Sequence, residues 1–378
     1  MKYRSTIFIL SIVNLLNIGY AQTLNQKLDS IILKYYPNAN DPGIVLLIQS
    51  KPHQLNYSFQ RGVSSLENKN KLTTQTNFRM ASVSKQFTAM AIYKLIESGK
   101  LQLNTPIKNF FPQLQPSVGK ITIHQLLNHS SGIIDYENRI PDSRKTQLMD
   151  QDVLDYISAV DSLYFKPGNK FRYSNTGYCL LALIVEIAGG SDYSSFVKEH
   201  IFSPLKMENS LVYWPKANID NRAFGYHPEA NRFIFADQSL TSATKGDGGV
   251  YTSAEEYLKW ATSMVKIAKD QQAILDTDYM KSNLFPILPG VAYSMGWFLL
   301  QDLENRTYLT HSGESTGFHN IVLQQPEQGI YISLFSNRDD LVIAECYESI
   351  LKELGIYLGL NEGATLFNTL SNIYANKY

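Results

Sequence analysis

Strand patterns lie at both ends of this sequence and helical patterns fill the middle, and that distribution limits the folds open to the chain. Gly43–Ile48 is a β-branched run and Leu55–Gln60 partly alternates, so the two read as an early hairpin. From Ser82 onward Val83, Phe87, Met90, Ala91 and Leu95 follow helical steps, with Gly99 as a stop. Helical and loop patterns then dominate to about residue 285, over Ile123–Asn128, Asp152–Val160, Thr176–Ala188 and Ala254–Ala268. Strand patterns return at Tyr293–Gln301, Thr307–His311, Phe318–Gln324 and Ile330–Ser336, and a helix over Leu341–Leu354 follows. Terminal strands of this kind can pair in one antiparallel sheet while the middle folds as an inserted helical lobe. The strand–helix alternation of a doubly wound parallel sheet is absent. The expected class is therefore α+β, an antiparallel sheet flanked by helices plus a helical lobe, with a substrate cleft between the two.

Composition narrows the function classes. Among 378 residues, 44% are hydrophobic and 18% charged, which suits a packed globular chain rather than a disordered one. Lys plus Arg equals Asp plus Glu at 34 each, without the basic excess of a nucleic-acid binder. Two cysteines make neither a disulfide framework nor a Cys-rich zinc site, and the seven histidines form no H-E-x-x-H motif. Residues 1–21 carry Lys2 and Arg4, an apolar run from Ser5 to Ile18, and Gly19-Tyr20-Ala21 before Gln22, the layout of a secretory signal peptide. Asn14 and Asn17 interrupt the run, which is short for a membrane span, so export to the periplasm or outside is expected without a stable anchor. Cleavage leaves a slightly acidic mature chain from residue 22, a single catalytic unit. Its sheet lobe is expected at about 22–80 and 290–355, and its helical lobe at about 81–289. Cys179 and Cys346, each in an apolar helical stretch, read as isolated buried thiols.

Ser82-Val83-Ser84-Lys85 opens the first long helical pattern, and its spacing puts the hydroxyl and the amine on one face of the first turn. Serine needs an adjacent base to become a nucleophile, and a lysine shielded from water can lose its proton near neutral pH. The pattern alone is weak, since Ser-x-x-Lys also starts at Ser117, Ser195, Ser203, Ser242, Ser263 and Ser349. Alone, Ser82 reads better as an ordinary helix cap. Tyr173-Ser174-Asn175 follows a turn-rich entry and precedes an apolar helix; a tyrosine near a lysine ammonium ionises more easily and relays protons. Asn175 can hydrogen-bond an amide or ester carbonyl. His311-Ser312-Gly313 ends a strand pattern, where an open strand edge and a glycine offer a backbone N–H to an oxyanion.

Taken in order, Ser-x-x-Lys, Tyr-Ser-Asn and His-Ser-Gly resemble the signature motifs of the penicillin-recognising serine hydrolases, nearest the branch of class C β-lactamases, D,D-peptidases, D-aminopeptidases and related esterases. Phe78–Ala89 resembles the nucleophile segment of that family, and Leu126–Gly132, Pro167-Gly168 and Gly246-Asp247-Gly248-Gly249 also recur in it. The likeness covers roughly residues 30–355. It implies a β-lactamase/transpeptidase-like fold and an acyl-enzyme formed on Ser82. Lys85 and Tyr173 would share the base role, Asn175, His311, Ser312 and Gly313 would bind substrate, and the N–H groups of Ser82 and Glu314 would form the oxyanion hole. Neither a metal nor an organic cofactor is implied. The partner would be a small-molecule or peptide substrate, and the oligomeric state is left open.

Two departures bear on substrate. Many β-lactamases of the family carry Lys where His311 stands, a fixed cation for a substrate carboxylate, whereas a histidine is mostly neutral at pH 7. Glu314 adds negative charge where a small residue is frequent. Both count against an efficient β-lactamase and favour a peptidase or amidase on D-amino-acid peptides, or an esterase. A β-lactamase proper and a non-catalytic penicillin-binding or sensor protein are the alternatives. A rival nucleophile, Ser315 in Gly313-Glu314-Ser315-Thr316-Gly317, fits the α/β-hydrolase elbow in letters only, because a strand pattern follows it and the order of triad residues fails.

Overall fold

The computed structural model describes residues 24–267, 277–358, 360 and 364–375. The expected signal peptide and Ala268 lie outside the described residues. Helix α1 covers residues 24–35. The predicted hairpin follows as β1 (Ile44–Ser50) and β2 (Leu55–Arg61), with Ile44 opposite Arg61. The short strand β3 (Asn77–Arg79) leads into α2 (Lys85–Glu97), α3 (Pro116–Gly119), α4 (Ile123–Leu127), α5 (Asp150–Ser158), α6 (Asn175–Gly189) and α7 (Tyr193–Val197). Next come β4 (Leu211–Val212), a hairpin of β5 (Tyr226–Glu229) and β6 (Arg232–Phe235), β7 (Val250–Ser253), α8 (Ala254–Ile267) and α9 (Thr277–Ser282). The last stretch contains β8 (Phe285–Leu288), β9 (Val291–Ser294), β10 (Trp297–Gln301), β11 (Thr307–Ser315), β12 (Phe318–Gln325), β13 (Ile330–Ser336), α10 (Val342–Glu353) and α11 (Leu366–Tyr374).

Both chain ends share one eight-stranded sheet, in the order β2-β1-β13-β12-β11-β10-β9-β8. Every neighbouring pair is antiparallel, and the closure falls between β1 and β13, where Ile44 faces Ser336 and Ser50 faces Ile330. β1 and β13 are buried along almost their whole length, which is why both read as continuous β-branched runs rather than alternating ones. Helix α8 packs on these two strands. The apolar core runs continuously from Leu24 of α1 through both groups of elements to Ile373 of α11. Each fully buried Leu, Ile or Phe in it contributes roughly 1.5–3 kcal/mol. Helix α2 is central: Phe87 packs against Trp260 of α8 and Phe202, with ring centroids 4.7 Å and 5.4 Å apart. Cys179 and Cys346 are buried and unbridged.

The expected single strand Tyr293–Gln301 is in fact the hairpin β9–β10. Met295 and Gly296 at its tip have φ of 51° and 82°, the mirror-image turn that suits the right-handed twist of paired strands. A Cβ on Gly296 would lie 2.6 Å from the backbone of Gln86, so only glycine lets this turn rest on α2. The sequence reading also missed the small sheet β3-β7-β4, whose two- to four-residue strands are too short to show a period.

Candidate active site

The turn that carries Ser82, the candidate nucleophile, begins at β3. Met80 N–H donates to Val250 O of β7 at 2.8 Å, and the chain then reverses at Ala81, whose φ is +48°. A positive φ at a residue with a side chain is uncommon and costs of order 1–3 kcal/mol. An opposing glycine makes room for this turn: a Cβ on Gly313 would lie 2.1 Å from Met80 O and 3.3 Å from Ser82 N. Ser82 therefore sits in a one-turn 3₁₀ segment, Ala81–Ser84, ahead of α2 and not at its cap.

Lys85 opens α2 and is fully buried. Its Nζ lies 3.1 Å from Ser82 Oγ, and it donates to Asn175 Oδ1 at 2.8 Å and to the Asp247 carbonyl at 2.9 Å. Burial pushes the amine down from its ordinary 10.5 to about 8, while the nearby Asp247, Cys179 and Glu137 charges pull it partly back. Near neutral pH a usable share of Lys85 is then the free amine.

Tyr173 stands just before α6. Ser174 caps that helix by accepting from the Gly177 N–H, and its own N–H donates to His129 Nδ1 at 3.1 Å. The His129 ring lies under the phenol, centroids 4.4 Å apart, and is held well below its usual pKa by burial and then by the Lys85 charge. Lys85 Nζ lies 4.9 Å from the centroid of the Tyr173 ring. The expected easing of Tyr173 ionisation is not what this surrounding produces. Burial raises the phenol well above 10, and the hydrogen bond with Ser82 recovers only part of that. The phenol is therefore protonated at neutral pH, not a resident phenolate.

Strand β11 supplies the opposite wall. Its pairing with β10 ends at Thr310, so from His311 onward the edge facing the nucleophile turn is open. His311 Nδ1–H donates to the Ser312 carbonyl at 2.6 Å, which leaves Nε2 as the acceptor from the Tyr293 hydroxyl at 3.3 Å. Burial, followed by the Lys85 charge, drops its pKa to about 3, so it is a neutral imidazole and adds no cation to the site. Gly313 touches the nucleophile turn as described, and Glu314 follows it, its carboxylate 3.3 Å from His319 Nε2. The strand–turn–strand course of Ser315 through Phe318 gives no helix after the rival serine.

Ser82, Lys85, Tyr173, Asn175, His311, Ser312 and Gly313 thus converge from three separate stretches of chain. Sequence reasoning missed several neighbours. Glu137 accepts from Asn175 Nδ2 at 2.8 Å, so both ends of the Asn175 amide are engaged. Burial raises the Glu137 pKa. Asp150 accepts the Lys245 and Gly246 N–H groups at 2.9 Å and 3.2 Å and so fixes the loop whose Asp247 carbonyl holds Lys85. A Cβ on Gly246 would lie 2.1 Å from the Tyr178 carbonyl, which accounts for the glycine before Asp247. His129 and Asp247 lay inside segments that carried the family resemblance. Glu137, Asp150 and Tyr293 had no local signal. Neither did Tyr374, whose hydroxyl shares a 2.8 Å hydrogen bond with Ser312 Oγ. No group of three or more His, Cys, Asp or Glu among the described residues is arranged to hold a metal ion.

Comparison with known proteins bears on the fold and the family. The chain is 29% identical over 337 residues to penicillin-binding protein 4* of Bacillus subtilis (strain 168), covering 82% of this chain and 70% of the relative. It is 25% identical over 350 residues to protein flp of Staphylococcus aureus (strain MW2), covering 91% and 69%. The fold matches the octameric penicillin-binding protein homologue of Pyrococcus abyssi at a TM-score of 0.74 and 24% identity, covering 92% of this chain and 80% of that one. It matches the D-amino acid amidase of Ochrobactrum anthropi SV3 at 0.72 and 24% identity, covering 88% and 99%. The Beta-lactamase family matches residues 33–350, and the chain belongs to that β-lactamase/transpeptidase-like family of serine hydrolase-type folds.

Proposed function

We propose that this chain is an exported serine hydrolase that opens amide or ester bonds through an acyl-enzyme on Ser82. The observation that carries the reading is the contact of a buried, pKa-lowered Lys85 with Ser82 Oγ at 3.1 Å, beside a protonated Tyr173. Ser82 Oγ attacks the substrate carbonyl carbon as its proton passes to the Lys85 amine. The oxyanion lies between the N–H groups of Ser82 and Glu314, on the open edge of β11. Collapse breaks the bond to the leaving nitrogen or oxygen, which takes the Tyr173 phenolic proton, and Lys85 returns its proton to the phenolate. Water, relieved of a proton by the same pair, then releases the acid and restores Ser82.

The substrate class follows from charge. His311 is neutral, Lys85 is enclosed, and Glu137 and Glu314 place carboxyl groups beside the cleft. Neutral or ammonium-bearing acyl donors, such as D-amino-acid amides, peptides and small esters, suit this surrounding better than β-lactams. The kinship with a D-amino acid amidase structure supports the same choice.

Intact-mass spectrometry after treatment with a fluorophosphonate tests the assignment. One adduct is expected, mapping to Ser82 and absent in Ser82→Ala. An adduct that persists in that variant, or maps to Ser315, overturns it.

A further inference from the structure

Helix α11 lies at the far end of the described chain, yet it finishes in the cleft. Its start is tied down twice: Thr365 caps it by accepting from the Asn368 N–H, and the Leu366 N–H donates to Glu348 Oε1 at 2.6 Å. Its apolar face, Leu366, Phe367, Leu370 and Ile373, is buried, and the Phe367 ring meets His319 and Tyr347 at centroid distances of 5.3 Å and 6.1 Å. This is a packed wall rather than a tail resting on the surface.

The last residue of that helix, Tyr374, reaches the third motif. Its hydroxyl lies 2.8 Å from Ser312 Oγ and 3.5 Å from His311 Nδ1. Its ring stands across Tyr173 at 4.7 Å and 67° and lies 5.7 Å from Phe298. The Ser312 hydroxyl stands next to Gly313, the residue of β11 that touches the Ser82 turn, and Tyr374 engages it. A substrate carboxylate arriving there would meet the Tyr374 phenol already bonded to the Ser312 hydroxyl, an uncharged imidazole, and the Glu314 carboxylate on the same strand. It would lose its hydration without gaining a charged partner.

We propose that Tyr374 is a specificity-determining residue, with α11 as a built-in wall that closes the His311–Ser312 end of the cleft to substrates bearing a carboxylate there and leaves it open to neutral or ammonium-bearing ones. The inference rests on the acyl-enzyme reading of Ser82 and adds which substrate charge the same site refuses.

A matched ligand pair tests it, because benzylpenicillin and its methyl ester differ only in that carboxylate. Acylation rate constants for both are read from competition against fluorophosphonate labelling of Ser82, in wild type, Tyr374→Ala and Tyr374→Phe. The acid-to-ester ratio is expected to rise about tenfold or more in Tyr374→Ala, where space and the Ser312 hydroxyl are both released, and about threefold in Tyr374→Phe, where only the hydrogen bond is lost. Tyr374→Phe keeps the packing of α11 and decides the matter alone should the alanine variant fail to fold. A ratio within about twofold of wild type in both variants, or no competition by the acid in either, overturns the proposal while Ser82 still labels. Absence of labelling at Ser82 in wild type overturns the hydrolase reading instead, and this inference with it.

Discussion

If Lys85 is the base that takes the Ser82 proton, the rate of Ser82 modification must follow the titration of a buried amine. Removal of Lys85 from water lowers its pKa from 10.5 to about 8. A shift of that size corresponds to roughly 3 kcal/mol, and at pH 7 it frees the amine in about one molecule in ten rather than about three in ten thousand. The gain in available base is therefore about 300-fold. The sign is fixed: the free amine accepts the proton, so reactivity climbs as pH rises toward about 8 and levels off above it. The assay is the second-order rate of fluorophosphonate labelling at Ser82 from about pH 5.5 to about pH 9.5, a single step that needs no deacylation. Neither His311 nor His129 can imitate this profile, because His311 is held near 3 and His129 well below its usual value. Asp150, which burial raises to about 7, titrates in the same window and is coupled to Lys85 through the Asp247 loop. The profile is therefore repeated in Asp150→Asn, where the rising limb is expected to persist. A flat profile above about pH 6, or a limb that vanishes in Asp150→Asn, refutes the assignment of the base to Lys85.

Tyr173→Phe should separate substrates by their leaving groups: amide turnover falls about 100-fold or more, while a p-nitrophenyl ester, whose leaving group needs no proton, falls about tenfold or less. Parallel losses on both, measured as kcat/KM, would remove Tyr173 from the acid role. Gly313→Ala sets a Cβ 2.1 Å from the Met80 carbonyl and must push β11 off the nucleophile turn. Labelling of Ser82 is expected to slow by about 100-fold or more with the thermal midpoint lowered by only a few degrees, and an unchanged labelling rate would show that the strand edge is not part of the oxyanion site.

The architecture was legible wherever burial leaves a period in the sequence. The hairpin β1–β2, the strands β12 and β13 and the helices α2, α6 and α10 fall close to the expected ranges, because each buries an apolar run or face long enough to count. The errors have equally local causes. The β9–β10 turn hides inside an apolar run because Met295-Gly296 lacks the usual polar turn residues. The motif residues of the candidate site were visible through their order along the chain, but their electrostatic state was not. The sequence reading paired Tyr173 with a lysine and expected an easily ionised phenol; the fold encloses it among aromatic rings, and desolvation outweighs the hydrogen bond with Ser82. The same desolvation turns His311 from an expected mostly neutral side chain into one that stays neutral across the working pH range.

Tyr374 marks the limit of this kind of reading. Tyr374-Ala375-Asn376 repeats the Tyr-x-Asn spacing of the site motif, and in sequence it is one of several such coincidences. The amphipathic face of α11 announces that the helix docks somewhere, and nothing in a helical period names the partner. What selects the partner is shape: Phe367 meets the His319 ring, Glu348 receives the Leu366 N–H, and those anchors fix where the ninth residue of the helix must point. Neither anchor is a residue of the three motifs. Shortening or shifting α11 by one residue would turn Tyr374 by about 100° and carry its hydroxyl away from Ser312, with the catalytic motifs intact. Substrate charge in this fold can therefore be altered without touching a motif residue, through a segment that motif comparison does not read.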